Sequence, residues 1–269
     1  MSAIDTLFAG LRARGQKAFL PFITAGDPTL AFTAKVLQRL DQLGCSMAEV
    51  GIPYSDPIAD GPVIQASYTR ALESKIKLHS IFDTIRSVRS SVTMPLVTMV
   101  SYAVIYRQGL ERFVEEAQQA GFAGAIVPDL LVEECDALAS VCKQRDFSLI
   151  QLVTPTTPQE RALRIAEKST GFLYFVSVTG ITGERQELPP GLVDRVAWLR
   201  ERSQTPICIG FGISKPEHVQ LLAPVADGLI VGSALVRLLS DAATEGEDKA
   251  LAKVDGLVHS LMQALNASK

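Results

Sequence analysis

Basic clusters are missing from this chain of 269 residues, and so is any excess of positive charge: 26 Lys and Arg stand against 29 Asp and Glu, for a net charge of -3. That balance excludes the electrostatic footprint of a nucleic-acid binder or of a protein drawn to an anionic membrane surface. Aromatic residues are scarce at 6%, too few for a surface on which bases stack. No apolar run approaches the ~20 residues of a membrane span. The 4 cysteines, Cys45, Cys135, Cys142 and Cys208, have no metal-ligand spacing. Cys135 and Cys142 share a predicted helix, which sets them ~10 Å apart, too far for a disulfide. The thiols read as reduced, and the expected location is cytoplasmic. His79, His218 and His259 fall on predicted helices or helix starts, and no pair of them is spaced as metal ligands, so no catalytic metal is expected. No serine sits in a G-x-S-x-G turn, which removes one class of hydrolase. No lysine stands on a strand, which argues against imine chemistry.

What the chain has is length and apolar mass. Hydrophobic residues make up 47%, enough for one large core, and no linker or low-complexity stretch divides residues 1–269. Short, nearly continuous apolar runs recur at 18–23, 47–52, 96–100, 123–127, 148–153, 171–178, 206–210 and 228–231. Such runs suit strands buried on both faces. Helical periodicity lies between them, at 30–43, 110–120, 135–145, 158–167, 192–199 and 219–225, with a last helix from about Ala250 to Leu265. Ile4, Leu7, Phe8 and Leu11 form a further helical stripe before the first strand. It reads as a helix packed on the domain, with a basic transit peptide as the competing reading. Strand then helix, repeated about eight times, is the pattern of a (β/α)8 TIM barrel. The expectation is one such domain with an extra N-terminal helix and extra short helices in the βα loops. A doubly wound open sheet is the alternative.

In a TIM barrel the reactive groups stand at the C-terminal strand ends and in the loops after them. The richest of these places is Ala48 to Pro62, AEVGIPYSDPIADGP. Glu49 lies inside an apolar strand, where a carboxylate is costly unless paired or employed. Asp60 follows one short loop later. Two acids at one strand end can act as a proton donor and acceptor once their surroundings separate their pKa values. Asp56, Asp27 and Asp129 fit turn-capping roles equally well. Glycine-rich segments follow the sixth, seventh and eighth strands: Thr179 to Gly183, Gly210 to Ser214, and Gly232 with Ser233. Backbone amides at such places suit an anion, above all phosphate. The long polar stretch Thr179 to Gly191 reads as a lid, or as a plain surface loop.

Six segments, in order along the chain, resemble the tryptophan synthase alpha chain family: LPFITAGDP (20–28), AEVGIPYSDPIADGPVIQ (48–65), VPDL (127–130), TGITGER (179–185), GFGIS (210–214) and VGSALV (231–236). Tyr54 stands where many members have Phe, Leu131 where many have Pro, and Val178 where some have Arg. The resemblance implies a lyase that cleaves indole-3-glycerol phosphate to indole and glyceraldehyde 3-phosphate without a cofactor. It implies that Glu49 shuttles the proton to indole C3 and that Asp60 binds the indole N–H. Phe22, Val100, Val127 and Phe211 would form the slot for the ring, with Tyr174 as the active-site tyrosine and Tyr102 among the substrate contacts. Gly183, Gly212, Gly232 and Ser233 would hold the phosphate, and Thr182 would close the lid. It also implies a partner, the pyridoxal-phosphate beta chain in an α2β2 complex, touching the regions 58–68 and 127–134. Two other readings carry the same fold: a different phosphate-sugar barrel enzyme, and a catalytically idle barrel that only activates a partner. The first lacks its strand lysine, and the second gives no reason for Glu49 and Asp60.

Overall fold

Strands that are apolar on both faces need cover on both faces, and the chain supplies it by closing its sheet into a ring and wrapping the ring in helices. In the computed structural model, which describes residues 2–57, 60–177, 190–210 and 212–267, the elements begin with α1 (Ala3–Ala13), β1 (Ala18–Thr24), α2 (Leu30–Gln42), β2 (Ala48–Gly51), α3 (Pro62–Glu73), α4 (Leu78–Val88) and β3 (Leu96–Met99). They continue with α5 (Tyr102–Gln108), α6 (Leu110–Ala120), β4 (Phe122–Ile126), α7 (Asp136–Gln144), β5 (Ser148–Val153), α8 (Gln159–Lys168) and β6 (Leu173–Val176). The chain ends through α9 (Leu192–Arg200), β7 (Ile207–Gly210), α10 (Pro216–Leu222), β8 (Gly228–Val231), α11 (Ser233–Ser240), α12 (Ala242–Glu245) and α13 (Glu247–Ala267). The strands run parallel in the order β1 to β8, and β8 pairs back to β1 to close the barrel.

Period-two alternation along each strand divides the core in two. Phe19 and Ile23 of β1 and Ala48 and Val50 of β2 join the layer between strands and helices. Ala18, Leu20 and Phe22, with Met47, Val97, Met99, Ile126, Ile150, Tyr174, Cys208 and Ile230, fill the barrel's interior. The N-terminal helix α1 belongs to the interior group as well, through Ile4, Phe8 and Leu11. Ser2 and Asp5 cap it reciprocally, and Phe8 meets Phe172 at 5.9 Å. The stripe noticed in the sequence is therefore a packing face. At the other end of the chain, α13 packs on α2, α10 and α11.

The long connection between β2 and β3 departs most from the sequence pattern. It carries α3 and α4, and α5 opens the next connection; none of the three was assigned from periodicity. In α4 the signal is present at Ile81, Phe82, Ile85 and Val88. In α3 the buried face is Ile64, Ser67, Tyr68 and Ala71, of which two are small or polar. Helix α3 matters because it follows Asp60 directly, with Gly61 at its cap and Pro62 in its first turn. Gln65 reaches back from α3 and donates to the carbonyls of Asp60 at 2.8 Å and Pro57 at 3.2 Å. The hydroxyls of Thr24 and Ser67 bond at 2.6 Å. Arg70 grips Asp27, beyond β1, with two bonds of 2.8 and 2.6 Å. Asp27 thus holds a helix as well as sitting in a turn, and α3 is pinned over the mouth of β1 and β2.

Replacing Arg70 with Leu leaves the Asp27 carboxylate buried and alone. The expected loss is about 2 kcal/mol, below the 3–5 kcal/mol of a fully buried pair because the guanidinium is partly in water. Asp27→Asn in the same chain should recover part of it, and urea unfolding of the two variants checks both statements.

Candidate active site

A carboxylate enters the barrel because β2 places alternate residues inward. Glu49 lies opposite Phe22 of β1 and Val97 of β3, both interior residues. It is 0% exposed, and neither of its oxygens has a hydrogen-bond partner among the described residues. Asp60 is 4% exposed, and its Oδ2 is likewise unpartnered. Native structures satisfy nearly all buried polar atoms, so three orphan carboxylate oxygens mark a place for a ligand. Burial pushes the Glu49 carboxyl well above the usual carboxylate range, and the neighbouring Asp60 charge raises it further. Burial alone pushes Asp60 up to about 6. Burial and a neighbouring charge thus act together on Glu49, whereas burial acts alone on Asp60, and the two acids are driven apart.

Aromatic rings surround the pair. Phe22 and Tyr174 share the interior with them, and the charges of Glu49 and Asp60 both help to raise the Tyr174 hydroxyl, after burial. Glycine makes this crowding possible. A Cβ at Gly51 would lie 2.6 Å from Phe22 Cζ, and one at Gly210 would lie 2.2 Å from the Tyr174 hydroxyl oxygen. Val100 and Val127 are buried but belong to the outer layer. Their neighbours Met99 and Ile126 belong to the interior group. Of the apolar slot expected from the sequence, Phe22 and Tyr174 share the interior with the acids, and Val100 and Val127 stand just past the ends of β3 and β4. Tyr102 is half-buried at the start of α5 and packs against that outer layer.

Asp129 settles into the capping role. It accepts from the Ser101 hydroxyl at 2.6 Å and from the Tyr102 amide at 2.7 Å. Asp56 is exposed and accepts from Ser55 at 2.8 Å, away from the orphan oxygens. His79 and His259 are exposed, and the buried His218 accepts from the Ser214 amide at 3.4 Å. Among the described residues every lysine is exposed except Lys17, which is half-buried. The four thiols are buried and free; burial pushes Cys45 and Cys142 up to about 12.

The described glycine segments after β7 and β8 stand at the C-terminal strand ends. Gly212, after β7, has φ +76°. Gly232 precedes α11, which has no side-chain cap at its start, and Ser233 is its first residue. The Gly232 position lies 3.6 Å from Phe22 Cβ, measured to a Cβ built there. A helix start of this kind attracts anions, and here it stands next to the ring that faces Glu49. Thr182, Gly183 and Phe211 lie outside the described residues, as do residues 179–189 of the expected lid from Thr179 to Gly191. The groups that sequence reasoning passed over are Tyr68, whose hydroxyl is buried without a partner among the described residues, and Arg70. Tyr68 sits in a helix that periodicity did not reveal.

Residues 8–266 match the family described as tryptophan synthase alpha chain. The alpha chain of tryptophan synthase from Rhodopirellula baltica is 52% identical over 278 residues, covering 100% of each chain. Among solved structures, tryptophan synthase subunit alpha from Legionella pneumophila matches with a TM-score of 0.90 and 33% identity, over 99% of each chain. A chain from a structural study of the tryptophan synthase α2β2 complex of Pyrococcus furiosus matches with a TM-score of 0.85 and 36% identity, over 92% of this chain and 99% of that one.

A carboxyl whose pKa is raised by folding stabilises the native state at low pH and loses that contribution as pH rises through the folded value. Stability should therefore fall as pH climbs from about 4 through about 6, the range over which the native state holds the Asp60 proton and the unfolded chain does not. Asp60→Asn should be more stable than wild type at pH 7 by about 3 kcal/mol, and the advantage should vanish near pH 4. Denaturant titrations at the two pH values measure it.

Proposed function

The chain belongs to the tryptophan synthase alpha chain family, and on that premise we propose how its two buried acids perform the family's reaction. It is a carbon–carbon lyase of tryptophan biosynthesis that cleaves indole-3-glycerol phosphate to indole and glyceraldehyde 3-phosphate. The observation that carries the assignment of roles is the pair of buried, unpartnered carboxyls with separated pKa values. The bond from indole C3 to the side chain breaks only after C3 gains a proton. Glu49, kept protonated by burial and by Asp60, is the donor. Protonation places positive charge on the ring nitrogen, and the Asp60 carboxylate accepts the N–H hydrogen bond and steadies that charge. The Glu49 carboxylate then takes the proton of the side-chain hydroxyl next to C3. The C–C electrons return to the ring, the hydroxyl carbon becomes the aldehyde, and Glu49 ends as it began.

Phe22 and Tyr174 supply the apolar surface for the ring, with Val100, Tyr102, Val127 and Phe211 as further contacts. Gly183, Gly212, Gly232 and Ser233 take the phosphate, and Thr182 belongs to the lid. Residues 1–269 act as one domain. An idle barrel would gain nothing from two orphan acids in its core, because each costs stability.

The partner is a tryptophan synthase beta chain, as in the α2β2 complex of the Pyrococcus relative. Tyr106 and Leu131 support a docking face there: they are 72% and 54% exposed and lie in the connections that leave the C-terminal ends of β3 and β4. Indole is small and neutral, so handing it directly to a second subunit keeps it from diffusing away. We place the enzyme in the cytoplasm; among the described residues no helix is long and apolar enough to cross a membrane.

Glu49→Gln should lower kcat for indole release by about 10²–10⁴-fold with KM nearly unchanged; an equal rate in the variant removes Glu49 from the mechanism. In wild type, kcat/KM should rise through about pH 6 as Asp60 ionises and fall at higher pH as Glu49 loses its proton. In any residual activity of Asp60→Asn, the alkaline limb should move to lower pH, because the charge that disfavours the Glu49 carboxylate is gone. Leu131→Asp should weaken co-elution with a beta chain in gel filtration and leave indole release by the isolated chain as it was.

A further inference from the structure

Tyr68 carries a polar group that neither the fold nor the acid pair accounts for. Its side chain is 1% exposed, and its hydroxyl has no hydrogen-bond partner among the described residues. A phenylalanine would fill the same space without burying an unpaired oxygen. Gly51 fixes where that oxygen lies, since a Cβ built there would stand 2.7 Å from it. Gly51 follows Glu49 by two residues on β2 and so faces the same side of the strand, one repeat of ~7 Å nearer the mouth. The hydroxyl therefore hangs over the interior face of β2, just above the Glu49 carboxyl. The charges of Asp60 and Glu49 both act on it, and its ring rests against Tyr54 at 5.5 Å. The nearby hydroxyls of Thr24 and Ser67 are already bonded to each other.

This inference rests on the lyase reading above. In that reading the indole ring and the hydroxyl next to C3 account for the orphan oxygens of Glu49 and Asp60, and the glycine segments after β7 and β8 account for the phosphate. The substrate's remaining polar group is the second hydroxyl of the three-carbon chain that must span from the acids to those glycines. Among the described residues the unassigned orphan oxygen beside the acids is that of Tyr68, and it stands on the mouth side of Glu49. We propose that the Tyr68 hydroxyl hydrogen-bonds a hydroxyl of the glyceryl chain and so selects a hydroxylated side chain over an alkyl one.

The test is Tyr68→Phe, assayed with two ligands. Indole-3-glycerol phosphate is the substrate; indole-3-propanol phosphate keeps the ring, chain length and phosphate but lacks both glyceryl hydroxyls. In the variant, kcat/KM for the substrate should fall about 10- to 100-fold, and the inhibition constant of the propanol compound should change less than about twofold. The thermal midpoint should be equal to or above that of wild type, because only an unpartnered oxygen is removed. An unchanged kcat/KM overturns the proposal. So does an equal loss for both ligands, which would assign Tyr68 a role through shape alone. Wild type that releases no indole would overturn the lyase reading itself, an outcome distinct from one in which wild type is active and the variant matches it.

Discussion

An ionised carboxylate inside a closed barrel has no water to face, and among the described residues Glu49 has no donor to take water's place. Paying that cost only makes sense if the group spends its resting state neutral. Desolvation raises its pKa first, and the Asp60 charge raises it again. Asp60 is held less tightly from water, and its shift stops at about 6. One environment thus yields a resting acid and a resting base at the same pH. Both contributions oppose folding at neutral pH, and both serve the chemistry. Here the balance between stability and reactivity falls on two side chains and is legible in their missing hydrogen bonds.

The rest of the molecule holds that pair in place. The interior layer around Glu49 comes from strand alternation, and α1 closes the far end with Ile4, Phe8 and Leu11. Asp60 sits on a loop, so it needs anchoring from outside the barrel. Helix α3 provides it three ways: Gln65 on the loop carbonyls, Ser67 on Thr24, and Arg70 on Asp27. The same helix delivers Tyr68 to the mouth. Glycines at 51 and 210 leave the space that Phe22, Tyr68 and Tyr174 occupy. Gly232 and the start of α11 lie beside Phe22, which in the proposed reading joins the end suited to phosphate with the end that protonates carbon.

Much of this could be read from the residues. The runs at 148–153 and 228–231 coincide with β5 and β8, and the periodicity at 110–120 coincides with α6. Gly44 and Gly121, just past α2 and α6, have φ of +80° and +111°, the left-handed backbone that glycine supplies after a helix. Glu49 was conspicuous because a lone acid in an apolar strand contradicts its surroundings. Helix α3 escaped notice because its buried face mixes Ser67 and Ala71 with Ile64 and Tyr68, leaving little hydrophobic period. Tyr68 and Arg70 were hidden with it, since their roles depend on contacts far away in sequence. The places of Val100 and Val127 turn on which side of a strand end each faces, and an apolar run on both faces carries no alternation from which to tell. Where hydrophobicity alternates or an acid breaks it, sequence suffices; where small residues pack or loops fold back, only the assembled fold decides.

The account stands or falls on the proton that Glu49 holds at rest. Difference infrared spectroscopy of wild type against Glu49→Gln at pH 7 reads it directly. The account predicts that wild type shows the C=O stretch of a protonated, weakly hydrogen-bonded carboxyl that the variant lacks. A variant that instead loses only carboxylate bands would contradict it, because Glu49 would then be ionised before any substrate arrives and could not protonate carbon.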